Sequence, residues 1–250
     1  MLELSIGQYH TIYNFFSFGL ISMLATTVYL LVSQKQVAPK YRNALVISAM
    51  VTFIAAYHYW RIFNSFGEAY SGSQLAIEGK TGFNEAYRYV DWILTVPLLL
   101  VETIAVLALA KAESKKLLMK LVPASAAMIA LGWPGEIATD TTTKVVWGAL
   151  STIPFLIILQ VLFVELGNSL KRQPAGVKQT VSNLRLLLIA TWGVYPISYL
   201  FPVLGFEGTD AFMYRQIGYT VADVLAKCVF GLLIYKIARM KSAAEDKAYA

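Results

Sequence analysis

Residues 87–102 run Tyr87-Arg88-Tyr89-Val90-Asp91-Trp92-Ile93-Leu94-Thr95-Val96-Pro97-Leu98-Leu99-Leu100-Val101-Glu102, and the rest of the chain is read outward from them. The stretch is apolar enough to cross a bilayer, yet it carries Arg88, Asp91 and Glu102. Ionisable side chains inside a spanning helix are costly and mark function. At about 100° per residue, Asp91 and Glu102 are separated by about 1100°, roughly 20° off register, and by about 16 Å along the axis. Both carboxylates therefore share a face. Thr95 and Leu99 lie between them, and Arg88 lies one turn beyond Asp91. One stripe thus holds a cation and a carboxylate at one end, a hydroxyl in the middle and a carboxylate at the other, which is the layout of a proton path. Separate polar groups, each satisfying a neighbouring helix, are the alternative; four such groups in register speak against it.

Composition agrees with a membrane chain. The 250 residues are 57% hydrophobic and 14% charged, against about 45–50% and about 25% in soluble domains. That excludes an ordinary soluble enzyme, a disordered protein and a coiled coil. The single cysteine, Cys228, excludes a disulfide scaffold. Stretches of roughly 20 apolar residues predict an all-α membrane protein with seven transmembrane helices, over 9–33, 41–66, 83–110, 116–138, 144–170, 181–204 and 211–239, in a single domain covering 1–250.

Lysine and arginine crowd the loops after the first, third and fifth spans and the tail after the seventh. The opposite side carries only Arg61, Lys80, Lys144 and Arg215. The positive-inside rule then puts the N-terminus outside and the C-terminus in the cytoplasm. The net charge of +6 follows from this topology, and no nucleic-acid partner is expected. No lysine or arginine precedes Lys35, so no cleaved secretory signal is predicted and the first helix serves as the insertion signal. The longest outer loop, with Gly67, Gly72, Gly79 and Gly82, predicts a short hairpin.

The seventh span supplies a second set of charges. Lys227 lies too deep to reach either interface easily, and Asp223 stands one turn away on the same face. A lysine so placed is a structural ion pair, an anion-binding group or the attachment point of an aldehyde; a desolvated amine is a competent nucleophile toward a carbonyl, and Asp223 and Asp91 supply counterions. His58 is a further buried ionisable group, and Glu165, near the end of the fifth span, is placed to reach the interface. Aromatic and small residues complete a slot for a long apolar ligand. Trp192, Tyr195 and Tyr199 recur on one face of the sixth span beside Pro196. Trp92 follows Asp91, the fourth span offers Met128, Gly132 and Trp133, and the fifth offers Trp147, Gly148, Ser151, Thr152 and Phe155. Such a stripe taken alone is more often core packing than a ligand box.

The pattern Arg-Tyr-x-Asp-Trp-x-x-Thr-x-Pro-Leu in the third span, Trp-x-x-Tyr-Pro in the sixth and Asp-x-x-x-Lys in the seventh resembles the microbial rhodopsins, over nearly the whole chain. Within them it is most similar to the xanthorhodopsin and proteorhodopsin group of bacterial light-driven proton pumps. The resemblance implies the microbial rhodopsin fold, with all-trans-retinal bound to Lys227 as a protonated Schiff base. It implies Asp91 as counterion and proton acceptor, Asp223 as second counterion, Arg88 on the outer side, Thr95 supporting the acceptor, His58 hydrogen-bonded to Asp91, and Glu102 as cytoplasmic proton donor. The Asp91-Thr95-Glu102 set resembles that of outward proton pumps, and Leu99 goes with green absorption. Relatives often carry a bulky aromatic at the position of Gly148; glycine there implies a window onto the retinal ring that admits a carotenoid antenna, close helix packing being the other reading.

The implied protein is a multi-pass plasma-membrane transporter of a bacterium, a homo-oligomer in the lipid bilayer that moves protons, with no metal. A sensory photoreceptor of the same fold is the alternative; sensors often lack a carboxylate at the position of Glu102. The proton release route is left open, with Glu207 and Asp210 as candidates.

Overall fold

The computed structural model describes residues 3–70, 82–138, 140–201 and 204–249, all helices and connections with no strand ladder among them. Helix α1 is Ile6–Val32, α2 Pro39–Ala69, α3 Ala86–Leu107 and α4 Lys111–Ile137. Helix α5 runs over Thr141–Gln160, through a π-helical turn at Val161–Glu165, into Leu166–Leu170. Helix α6 comprises Ala175–Trp192 and Val194–Tyr199. Helix α7 is Gly208–Asp223, a π-helical turn at Val224–Val229, and Phe230–Glu245. The predicted hairpin falls on residues outside those described, apart from 67–70, of which 67–69 lie inside α2, and Gly82.

The predicted spans agree in number and order, while their ends move for local reasons. Helix α1 starts earlier because Ser5 and Gln8 form a reciprocal capping box, Gln8 N to Ser5 Oγ at 3.2 Å and Ser5 N to Gln8 Oε1 at 2.9 Å. Helix α2 opens on Pro39, whose missing N–H costs nothing in the first turn. Helix α3 stops short at Ala108, which takes a left-handed conformation with φ 46°. Helix α5 opens on Asp140, which accepts the Thr143 N–H at 2.7 Å; that bond holds the Asp140 carboxyl below its ordinary value.

Six of these helices are long and apolar enough to cross a membrane. The remaining crossing, α6, was expected as one uninterrupted span and is broken at Gly193. Pro196 is the cause: it has no N–H to give, and its ring crowds the carbonyl of Trp192, four residues back. Helices α1 to α5 pack in chain order, α6 packs on α7 and reaches α5 through Arg185 and Tyr199, and α7 also meets α1 and α2. Large apolar side chains point away from the bundle, as with Ile21, Val28 and Val32 of α1 and Val146, Ile153 and Leu156 of α5. Arg88, Asp91, Glu102, Asp223 and Lys227 are enclosed instead. That inversion of a soluble protein's surface fits a chain solvated by lipid.

Two apolar clusters fill the bundle. One gathers Leu99, Leu100, Leu121, Leu162, Leu188 and Ile234 from α3 to α7. The other joins α1 and α2 around Phe16, Ile62 and Phe66, with Phe212 of α7. Trp92 belongs to the first and Tyr59 to the second, and the buried charges sit where the two meet.

Candidate functional site

Four charged side chains, Arg88, Asp91, Asp223 and Lys227, are at most 2% exposed. They balance, two cations against two carboxylates, which is the condition for carrying charge in an apolar interior. Lys227 Nζ donates to Asp91 Oδ2 at 2.7 Å and to Asp223 Oδ1 at 2.6 Å. Lys227 occupies the π-helical turn that begins directly after Asp223; such turns insert one residue into the helical register and are frequent at functional sites.

The two carboxylates differ in their surroundings. Asp223 is fully engaged. Tyr195 donates to its Oδ1 at 2.7 Å, Tyr59 to its Oδ2 at 2.8 Å, and Arg88 Nη1 lies 3.7 Å from Oδ2. Asp91 has Lys227 on one oxygen, and no hydrogen-bond partner for Oδ1 among the described residues. Thr95 donates to the backbone carbonyl of Asp91 at 2.8 Å rather than to its carboxylate, because a threonine inside a helix reaches the carbonyl four residues back. His58 is buried beside the site, but no described hydrogen bond joins it to Asp91, and its Nδ1 is unpartnered.

Glu102 stands apart. It is fully buried and neither carboxyl oxygen has a hydrogen-bond partner among the described residues. No cation is paired with it, so its charged form has nothing to answer it. Ser48 of α2, also buried and unpartnered at its hydroxyl, is the polar group of the neighbouring helix. Glu165 pairs with Lys120 at 2.5 Å at the end of the bundle and takes no part in the site.

Lys227 also faces a cavity of about 300 Å³, at the lower end of the range for small-molecule sites, about 300–1,000 Å³. Its walls include Trp92, Leu99, Met128, Gly132, Ser151 and Thr152 from α3, α4 and α5, and Trp192, Tyr195, Pro196 and Tyr199 from α6. Residues not singled out from sequence join them, namely Tyr89, Val96, Ile129 and Tyr219. The end away from Lys227 reaches Gly148, Val145 and Leu200, the last two exposed on the lipid-facing surface. A Cβ on Gly148 would approach Tyr199 Cε1 to 3.0 Å, and one on Gly135 would approach Tyr199 Oη to 2.0 Å. Both glycines therefore make room for the Tyr199 ring, whose hydroxyl donates to the Lys144 carbonyl at 2.6 Å. A buried primary amine on the wall of a largely apolar cavity, with carboxylates on the amine, is a donor set that fits a long apolar aldehyde such as retinal.

At the end of the bundle that the charge bias marks as outer, Arg88 Nη2 donates to Gln216 Oε1 at 2.8 Å and Gln216 Nε2 to Glu85 Oε1 at 2.5 Å. Glu85 also pairs with Arg215 at 2.7 Å. Sequence reasoning missed these residues and Tyr59. A signal for Gln216 was present: Gln216, Thr220, Asp223 and Lys227 form one stripe of α7 at helical spacing. Of the two release candidates, Asp210 accepts from Gln8 at 2.7 Å and Glu207 lies exposed, neither joined to the buried charges.

Comparison with known proteins places this geometry. The family described as bacteriorhodopsin-like protein matches residues 10–240. The green-light absorbing proteorhodopsin of Gamma-proteobacterium EBAC31A08 is 29% identical over 236 residues, covering 92% of this chain and 88% of that one. A bacteriorhodopsin-II-like protein of Haloquadratum walsbyi is 30% identical over 220 residues, covering 86% of each. The crystal structure of xanthorhodopsin, described as a light-driven ion pump with dual chromophore, superposes with a TM-score of 0.92 at 46% identity, covering 98% of this chain and 99% of that one. A thermophilic rhodopsin superposes with a TM-score of 0.93 at 45% identity, again covering 98% and 99%. The match runs from the first helix to the seventh, and the chain belongs to the bacteriorhodopsin-like family, the microbial rhodopsins.

Proposed function

We propose that this protein is a light-driven outward proton pump, a transporter and not an enzyme, with all-trans-retinal held covalently by Lys227. The observation that carries the reading is the placement of Lys227 Nζ between Asp91 and Asp223 at the end of the apolar cavity. When bound, retinal supplies light absorption and an isomerisation that changes which groups the Nζ proton faces.

The chain's own residues do the rest. Asp223 keeps its charge because donors occupy both of its oxygens. Asp91 has an oxygen free and lies within hydrogen-bond reach of Nζ, so it takes the proton. Glu102, on the same face of α3 and about 16 Å further along the axis, returns one, then refills from the side with the greater lysine and arginine content. Arg88 closes the outer side of the charge cluster. The outward direction follows from the orientation that the charge bias of the loops implies, with Asp91 on the outer side of Nζ and Glu102 on the inner, and the match to proteorhodopsin supports the pump reading.

We also infer a carotenoid antenna at the Gly148 edge. The cavity reaches the lipid-facing surface there, and the Tyr199 ring offers a flat wall. The dual chromophore of the xanthorhodopsin structure supports this assignment.

The test begins with colour. Membranes supplied with all-trans-retinal should develop a visible band that Lys227→Ala abolishes. No band in the wild type, or an equal band in both, contradicts the assignment.

A further inference from the structure

Among the described carboxylates at the outer end, Glu85 alone is joined by hydrogen bonds to the buried charges. The connection runs from Arg88 through the fully buried Gln216 amide, and ends on a side chain that is 27% exposed. Glu85 is therefore the described carboxylate through which that hydrogen-bonded connection reaches the surface. Glu136 faces the same cluster but is bonded only to Tyr89, at 3.4 Å, on the side of the cavity. Arg88 is tied outward by its Gln216 bond. Inward, its Nη1 approaches Asp223 to 3.7 Å, and Nε and Nη1 have no hydrogen-bond partners among the described residues.

We propose that Glu85 is the exit carboxylate of the outward proton route, and that Gln216 positions it; the inference rests on the pump reading given above. The driving force is charge. Once Glu102 has returned a proton to Nζ while Asp91 still holds one, the buried cluster carries one unanswered positive charge, which an apolar interior does not tolerate. Loss of the Asp91 proton removes it. The O–H bond on Asp91 breaks and an O–H bond forms on the Glu85 carboxylate, about 9 Å outward along α3. That bond then breaks in turn and the proton joins bulk water. The step returns Asp91 to the negative charge it carried before the light reaction, Glu85 ends with the charge it began with, and no electrons move.

Glu85→Gln keeps the size of the side chain and an oxygen for Gln216, and removes the proton-carrying group. The purified pigment is flashed in the presence of a soluble pH-indicating dye, with the absorbance change of the final recovery step followed in parallel. Proton appearance and recovery should both slow by roughly tenfold or more, with the resting absorption band and the return of the proton to Nζ unchanged. Glu85→Asp should restore most of the rate. Gln216→Leu, which leaves the Glu85–Arg215 pair in place, should slow release in the same way. Asp210→Asn, an exposed carboxyl at the same end, should not. Release at the wild-type rate in Glu85→Gln or in Gln216→Leu overturns the proposal. A coloured wild type that moves no proton in light removes the pump reading and this inference with it, and the wild-type control tells the two failures apart.

Discussion

The Lys227 ammonium of the seventh helix donates to Asp91 Oδ2 of the third at 2.7 Å, while Asp91 Oδ1 has no partner among the described residues. The same nitrogen donates at 2.6 Å to Asp223, whose two oxygens also accept from Tyr195 and Tyr59. Two carboxylates touch one amine, then, and only one of them has room for a proton. That asymmetry divides the roles of acceptor and fixed counterion.

Asp91→Asn should therefore stop transport while leaving the pigment intact, since Asp223 still answers the cation. It should also shift the absorption band to the red, because a negative charge that holds the chromophore's positive charge near Nζ is removed. Absorption spectra and light-driven pH changes read the two effects. A variant that pumps at the wild-type rate contradicts the assignment.

Among the described residues Glu102 has no paired cation, and the Ser48 hydroxyl is the polar group beside it. Glu102→Gln should leave colour and stability nearly unchanged and slow the return of the proton to Nζ by roughly 10²-fold or more. Flash spectroscopy over the millisecond range measures this. An unchanged photocycle would remove Glu102 as the donor.

Gly19 of α1 faces the Tyr59 ring so closely that a Cβ would approach its Cε1 to 2.5 Å. Gly19→Ala should push Tyr59 off Asp223, costing about 1–3 kcal/mol by overpacking and shifting the absorption band. In a Tyr59→Ala background the same change should cost little, and the two effects should fail to add. Thermal denaturation of the four proteins gives the comparison; additive losses would mean that the ring is not what meets the new methyl group.

Gly148 lies where the cavity meets lipid, against Tyr199. Gly148→Trp should abolish energy transfer from a bound carotenoid to retinal, read as loss of the carotenoid bands from the excitation spectrum. Transfer that survives the change contradicts an antenna at this edge.

The interior of each span was legible because hydropathy reports what lipid and core demand. The ends were not, since they depend on single contacts such as the Ser5–Gln8 capping box and the left-handed Ala108. The break in α6 was in principle visible at Pro196, whose effect on the carbonyl of Trp192 follows from the ring alone. In the site, charges inside apolar stretches named themselves: Arg88, Asp91, Glu102, Asp223 and Lys227. Neutral partners did not, because Tyr59 and Tyr219 read as ordinary aromatics until α2 and α7 are packed against α3. Glu85 was masked by its position at the start of α3, where a carboxylate is expected for helix reasons alone. The bond expected between His58 and Asp91 is not among the described hydrogen bonds: both residues are buried, and His58 Nδ1 and Asp91 Oδ1 each lack a partner among the described residues.

The central claim is that the Lys227–Asp91–Glu102 arrangement moves protons outward in light. The most direct test is the pH of an unbuffered suspension of cells expressing the protein, supplied with retinal and illuminated with green light. The account predicts acidification of the medium that a protonophore abolishes and that Asp91→Asn lacks. Visibly coloured cells that leave the pH unchanged would contradict it.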